Sequence, residues 1–323
     1  MSAQTNKNQT ILGLDIGGTK TAVLEGTYEA EILQRHEFPT EAALPFKEKF
    51  PALVELMKMI IDNAYRADRL IKAISVSIGG PLRIGEGILI DPPHLPGWHG
   101  VHLKEELERE FPDIPVYIEH DGNTGALAEF FFGAGNGKEN LQHLIFLTFG
   151  TGLGAGFIVN GKILRGATDT AGEVGHWRLA DQGPVGFGKS GSWEGFASGK
   201  GLRNIAVQMF PERWQMTTPI RTIVEAILAD DQDALKVVAE AGRWMGRGIA
   251  LLIDALNPQM LVLGSLGVAL GDRIIRPIRE ICEQECLPQA FKACQIVPAV
   301  LGSTIGDVAA LMAAISAEKN RSF

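Results

Sequence analysis

Cysteine, positive charge and long apolar runs are what this chain has least of. Its three cysteines, Cys282, Cys286 and Cys294, are an odd number crowded near the end, so they make no disulfide framework. Cys282 and Cys286 stand four apart, the spacing of one helix face, and read as packing residues of a reduced, cytoplasmic protein. Lys and Arg total 30 against 38 Asp and Glu, a net charge of −8, which leaves no broad basic surface and argues against nucleic acid as a partner. No uninterrupted apolar segment approaches the ~18 residues of a membrane span. The polar opening MSAQTNKNQT carries no apolar core of the kind a secretory leader has.

Glycine, by contrast, is plentiful. The 38 glycines fall in short bursts between apolar runs, as in ligand-binding turns rather than in low-complexity sequence. With 323 residues, 46% of them apolar, the chain suits two lobes of about 100–200 residues. The most informative stretch is Ile11 to Leu24, ILGLDIGGTKTAVL, which reads as strand, Gly-Gly turn and returning strand. A plain hairpin would leave Asp15, Thr19 and Lys20 as solvated polar residues. A phosphate cradle would use the backbone N–H groups of Gly17 and Gly18, with Lys20 as a point charge.

The pattern recurs at Leu144 to Val159, LIFLTFGTGLGAGFIV. Setting Gly17 on Gly150 places Asp15 over Thr148 and Thr19 over Gly152, so two related lobes are expected. Between the repeats, apolar spacing predicts a strand over 31–38, a helix over 46–67, a strand over 71–78, a short helix over 102–111, a strand over 115–119 and a helix over 122–132. Later segments are mostly helical, notably 234–256 before Asn257-Pro258, with a buried strand over 260–263. Strands alternating with helices define an α/β fold.

Four clusters sit at expected strand ends or loops, where open α/β sheets bind ligands: Asp15 with Gly17 to Lys20, Glu119-His120-Asp121, Glu173 with His176, and Glu194. Asp121 suits either a helix N-cap or a base that takes a proton from an alcohol. Glu173 and His176 suit a metal half-site, a structural pair or hydrogen bonds to a polyol; no second His or Cys stands at metal spacing nearby. Gly183 to Ser190, GPVGFGKS, matches the P-loop pattern, but neither a strand before it nor a helix after it is expected.

Together these motifs resemble the ROK (repressor, open reading frame, kinase) family. The matching segments are DIGGTK at 15–20, LPGW at 95–98, EHDGN at 119–123, ALAE at 126–129, GTGLGAG at 150–156, GEVGH at 172–176 and WEGFASG at 193–199, in family order. The resemblance implies the actin-like, ribonuclease H-like ATPase fold, with two lobes around a central cleft: 1–121 plus 305–323, and 122–304. It also implies an ATP- and Mg-dependent sugar kinase, homodimeric and cytoplasmic. Asp15, Gly17, Gly18, Thr19 and Lys20 would form the first phosphate turn, with Asp15 near Mg²⁺ through water. Gly150, Thr151 and Gly152 would form the second, and Gly264 would lie against adenosine. Asp121 would be the catalytic base, and Gly80, His120, Glu173, His176 and Glu194 would hold the sugar. A glucose-type hexose is the expected acceptor, with N-acetylmannosamine or N-acetylglucosamine as alternatives; a non-catalytic sugar sensor or a transcriptional regulator is the rival from another class. His120 and His94 replace asparagines usual in the family, which bears on the sugar. Many members bind zinc through the family's His and three cysteines in a C-G-C-G-x-x-G-C-x-E run. Val185, Phe187 and Ser192 stand at those cysteine positions, so no zinc site is expected.

Overall fold

The computed structural model describes residues 8–321, so the first seven residues of the polar opening lie outside it. Packing divides the chain into two units. Unit one holds Met1–Ala128, Gly166–Thr170 and Ser303–Phe323; unit two holds Glu129–Arg165 and Ala171–Gly302.

In unit one, β1 (Gln9–Ile16), β2 (Lys20–Gly26), β3 (Ile32–Pro39) and β4 (Leu70–Ile78) precede two short strands, β5 (Leu82–Arg83) and β6 (Ile88–Leu89), and then β7 (Val116–His120). The main sheet runs β3-β2-β1-β4-β7, with the β1–β2 and β2–β3 pairs antiparallel and β1–β4 and β4–β7 parallel. Leu12, Leu14 and Ile16 of β1 are buried, as a central strand covered on both faces requires. On one face lies helix α1 (Phe46–Arg66), which buries Leu53, Met57, Ile60 and Ala64 at helical spacing. The C-terminal helix (Ile305–Arg321) packs on β1: a Cβ added to Gly13 would stand 3.0 Å from Leu311 and 3.2 Å from Ala310, so the helix comes closer than any larger residue permits. Helices α2 (Leu103–Glu110) and α3 (Asp121–Phe131) flank β7 in sequence.

Unit two repeats the plan. Its strands β8 (Leu144–Phe149), β9 (Leu153–Val159) and β10 (Lys162–Ile163) form a meander, and β13 (Met260–Leu263) and β14 (Gln295–Pro298) complete the order β10-β9-β8-β13-β14. The pairing senses match unit one: antiparallel for β8–β9 and β9–β10, parallel for β8–β13 and β13–β14. The repeat expected from two glycine hairpins therefore extends to whole sheets. Asn160 and Gly161, both at positive φ (52° and 72°), make the tight turn into β10.

The intervening residues build β11 (Val185–Gly186), β12 (Lys189–Ser190) and helices α4 (Trp193–Phe196), α5 (Gly199–Met209), α6 (Ile220–Leu228), α7 (Gln232–Leu256), α8 (Leu266–Leu270), α9 (Asp272–Glu285) and α10 (Pro288–Ala293). Helix α7 is capped by Asp231, whose carboxylate accepts the Asp233 and Ala234 N–H groups at 3.1 and 3.0 Å, and it ends at Asn257 in the left-handed region. Gly242 and Gly246 let α9 approach: added Cβ atoms would lie 2.7 Å from Pro277 and 2.7 Å from Ile281. Cys282 and Cys286 pack in the same seam, with their thiols toward the Gly246 and Ala250 carbonyls.

The carboxylate of Glu129, with no exposed surface, lies at the first passage between the units. It accepts backbone N–H groups of Ala134 (2.8 Å), Val300 (3.1 Å) and Leu301 (3.0 Å), tying the end of α3 to the segment just before the last passage.

Candidate active site

In unit one the parallel strands β1, β4 and β7 are in register at Ile16, Ile78 and His120, so their carboxyl ends share one edge. That edge carries Asp15, Gly79-Gly80 and Asp121 together. A Cβ on Gly79 would lie 3.7 Å from Asp121 Oδ2, and one on Gly80 would lie 2.7 Å from the His120 ring. Asp121 opens α3, and its own carboxylate accepts the Gly122 N–H at 2.7 Å while its side chain stays half exposed. His120 Nδ1 also accepts from Gly122 N–H, at 3.2 Å, and stands 3.3 Å from Asp121 Oδ1. An accepting Nδ1 leaves the proton of a neutral imidazole on Nε2.

The Gly17-Gly18 turn is braced from two sides. Thr40 donates its hydroxyl to Gly17 O at 2.6 Å and its N–H to Thr19 O at 3.0 Å. The His94 carbonyl lies 2.7 Å from where a Gly18 Cβ would stand, so only glycine fits. Lys20 Nζ donates to Glu37 at 2.9 Å in an exposed pair, which costs little to break in favour of a phosphate. Glu37 also meets Arg35, whose guanidinium donates to Asp307 at 2.7 Å. Burial, then the charges of Asp121 and Asp307, push the Asp15 carboxyl up to about 7, against the smaller pull of Lys20 and Arg35.

In unit two the glycine turn is closed by Gly150 N–H donating to Gly152 O at 3.1 Å, and Gly199 N–H donates to Gly150 O at 2.7 Å. Gly264 directly follows β13, and its N–H reaches Leu147 O at 3.0 Å; Ser265 Oγ lies 3.5 Å from a Cβ built on Gly150. Thr148, the counterpart of Asp15, turns its hydroxyl inward to accept Gly154 N–H at 3.0 Å. Glu194 accepts the Leu153 N–H at 3.0 Å and would stand 2.7 Å from a Gly152 side chain, which puts a carboxylate beside the turn. Glu173 immediately precedes, and His176 ends, a short 3-10 turn over Val174–His176.

The GPVGFGKS segment is a β-hairpin, β11–β12, with no helix directly after its lysine; Lys189 Nζ donates instead to the His176 carbonyl at 2.7 Å. A tetrahedral zinc does not fit here. Val185 and Phe187 offer no ligand atom, Ser192 Oγ is buried and accepts Gly195 N–H at 3.2 Å, and the Phe187 ring covers a face of His176.

Arg35, Glu37, Asp307 and Ser265 went unselected in the sequence. Arg35 and Asp307 are 272 positions apart, and no local motif joins them.

These two sheets of identical order, each with a glycine turn, define an α/β protein of the actin-like ATPase fold. The sequence matches the ROK family over residues 11–317, and the chain belongs to that family. A glucokinase of Halalkalibacterium halodurans is 30% identical over 312 residues, covering 91% of this chain and 92% of the relative. A xylose repressor of Caldicellulosiruptor bescii is also 30% identical, over 89% of this chain and 74% of its own length. Among solved structures, a Streptomyces griseus ROK glucokinase in complex with glucose and AMPPNP superposes with a TM-score of 0.74 at 28% identity, over 93% of this chain and 97% of that one.

Proposed function

We propose that the chain is an ATP-dependent hexose kinase that transfers the γ-phosphoryl group to the 6-hydroxyl of a glucose-type sugar. The observation that carries this reading is the edge of the unit-one sheet, where adjacent strands hold Asp15, a braced glycine turn and Asp121. Phosphoryl transfer asks the protein mainly for positioning and charge stabilisation. The turn at 17–20 and the turn at 150–152 take phosphate oxygens on their backbone N–H groups, and Gly264 takes adenosine. Asp121 receives the proton of the attacking hydroxyl; Gly80, His120, Glu173, His176 and Glu194 orient the sugar.

Mg²⁺ fits Asp15, because a buried carboxylate with two carboxylate neighbours is relieved by a cation, and Mg²⁺ binds through one or two carboxylates plus phosphates. When bound, that ion neutralises charge on the triphosphate. Exclusion of water keeps the phosphoryl group for the sugar. The protein acts in the cytoplasm, as a homodimer.

The repressor relative supports a second reading, a sugar sensor without turnover. A coupled ADP-release assay with ATP and Mg²⁺, run across hexoses and N-acetylhexosamines, separates the two. Asp121→Asn is expected to lower kcat by ~10²–10⁴-fold while sugar still binds, since a general base contributes that much. Release of ADP at the wild-type rate by that variant removes Asp121 from the role.

A further inference from the structure

The β11–β12 hairpin reaches two of the three side chains assigned to sugar hydroxyls in unit two, His176 and Glu194. At its tip, Phe187 and Gly188 both have positive φ, 51° and 67°. For a bulky residue such as Phe this backbone is uncommon and strained, so something must hold it there. The ring of Phe187 lies 4.2 Å from the ring of His176, tilted by 30°. The same ring closes on Gly175, where an added Cβ would stand 2.9 Å from Phe187 Cε2. Lys189 on the returning strand donates to the His176 carbonyl at 2.7 Å. At the hairpin's foot, Gly186 lies against Gly195 N and Glu194 Cβ, 2.7 and 3.1 Å from where its own side chain would begin.

His176 is thus gripped twice, at its ring by Phe187 and at its backbone by Lys189. The imidazole is otherwise exposed, and an exposed side chain left to itself samples several rotamers. A tilted ring contact restricts that sampling and fixes the plane in which the ring nitrogens point.

We propose that Phe187 is a positioning residue for sugar binding: its ring holds His176 in the orientation that meets a sugar hydroxyl, in a loop whose other residues offer no metal ligand set. The inference rests on the sugar-kinase reading above. It makes this chain's acceptor site independent of zinc.

The test compares wild type with Phe187→Ala, Phe187→Leu and Phe187→Tyr in steady-state kinetics, beside NMR of the histidine ring protons and metal analysis of the purified protein. Leu keeps apolar bulk without a ring, so it decides the matter even where the Ala variant folds poorly. Loss of the ring is expected to raise the sugar KM by about 2–10-fold, the worth of one aromatic pair. The kcat and the KM for ATP stay unchanged, Tyr restores the wild-type value, and the His176 ring signals shift in the Ala and Leu variants only. Chelators leave wild-type kinetics untouched. A Leu variant with wild-type sugar KM and unmoved His176 signals overturns the proposal, as does stoichiometric zinc whose removal raises the sugar KM. A wild type that turns over no sugar overturns the kinase reading instead, and the ring signals still decide whether Phe187 holds His176.

Discussion

Replacing Asp15 by Asn removes a charge that the fold holds at a cost. The Asp15 carboxyl is raised from 3.8 to about 7, first by burial and then by Asp121 and Asp307. Between those two values the native state keeps a proton that the unfolded chain has released. Stability therefore falls as pH rises through this window, and the loss is complete above about 7. At 1.36 kcal/mol per unit, the shift of roughly three units amounts to on the order of 4 kcal/mol at pH 8, and to almost nothing near pH 4. Asn keeps the shape and hydrogen-bonding capacity without the charge, so Asp15→Asn should melt with the wild type near pH 4 and well above it at pH 8. At ~2–4 °C per kcal/mol for units of this size, the separation at pH 8 is on the order of 10 °C. Thermal melts of both proteins in EDTA, across that pH range, measure it. Parallel curves would refute the reasoning, because the strain would then not reside in Asp15. The same variant should lose turnover, so its gain in stability and its loss of activity come from one carboxylate.

Two further outcomes follow from close contacts. Glu129→Ala leaves three part-buried N–H groups without their acceptor and should destabilise unit two by about 1–3 kcal/mol in urea unfolding, with Glu129→Gln recovering part of it; a cost below ~0.5 kcal/mol would mean the segment at 300–301 finds other partners. Gly18→Ala would drive a Cβ against the His94 carbonyl, 2.7 Å away, and displace the first turn; kcat/KM for ATP should fall by up to ~10²-fold with little change in the melting temperature, and an unchanged value would detach that turn from phosphate binding.

Much of the fold was legible because its signals are local. The Gly-Gly and Gly-Thr-Gly turns between apolar runs marked both opening hairpins, and Leu53, Met57, Ile60 and Ala64 spelled out α1 to within a residue of its end. Asn257-Pro258 stopped α7 where the left-handed cap and proline dictate. The two-residue strands β5, β6, β11 and β12 carry too few residues for a period to register. The site divides in the same way. Asp15 and Asp121 stand at strand ends and could be picked out by position, whereas the chain of charges from Lys20 through Glu37 and Arg35 to Asp307 exists only once the C-terminal helix is in place. Glu194, read from the sequence as a sugar ligand, braces the second turn through the Leu153 N–H, a partner 41 positions away.

The helix that covers β1 is the last segment of unit one to leave the ribosome. While residues 129–302 emerge, they can complete their own core, but Ile11, Gly13 and their neighbours must wait with one face bare until residues 305–321 arrive. The sheet of the first unit therefore closes only after the second unit is made, so removal of residues 305–321 would leave an intact second unit tethered to a first one that cannot close.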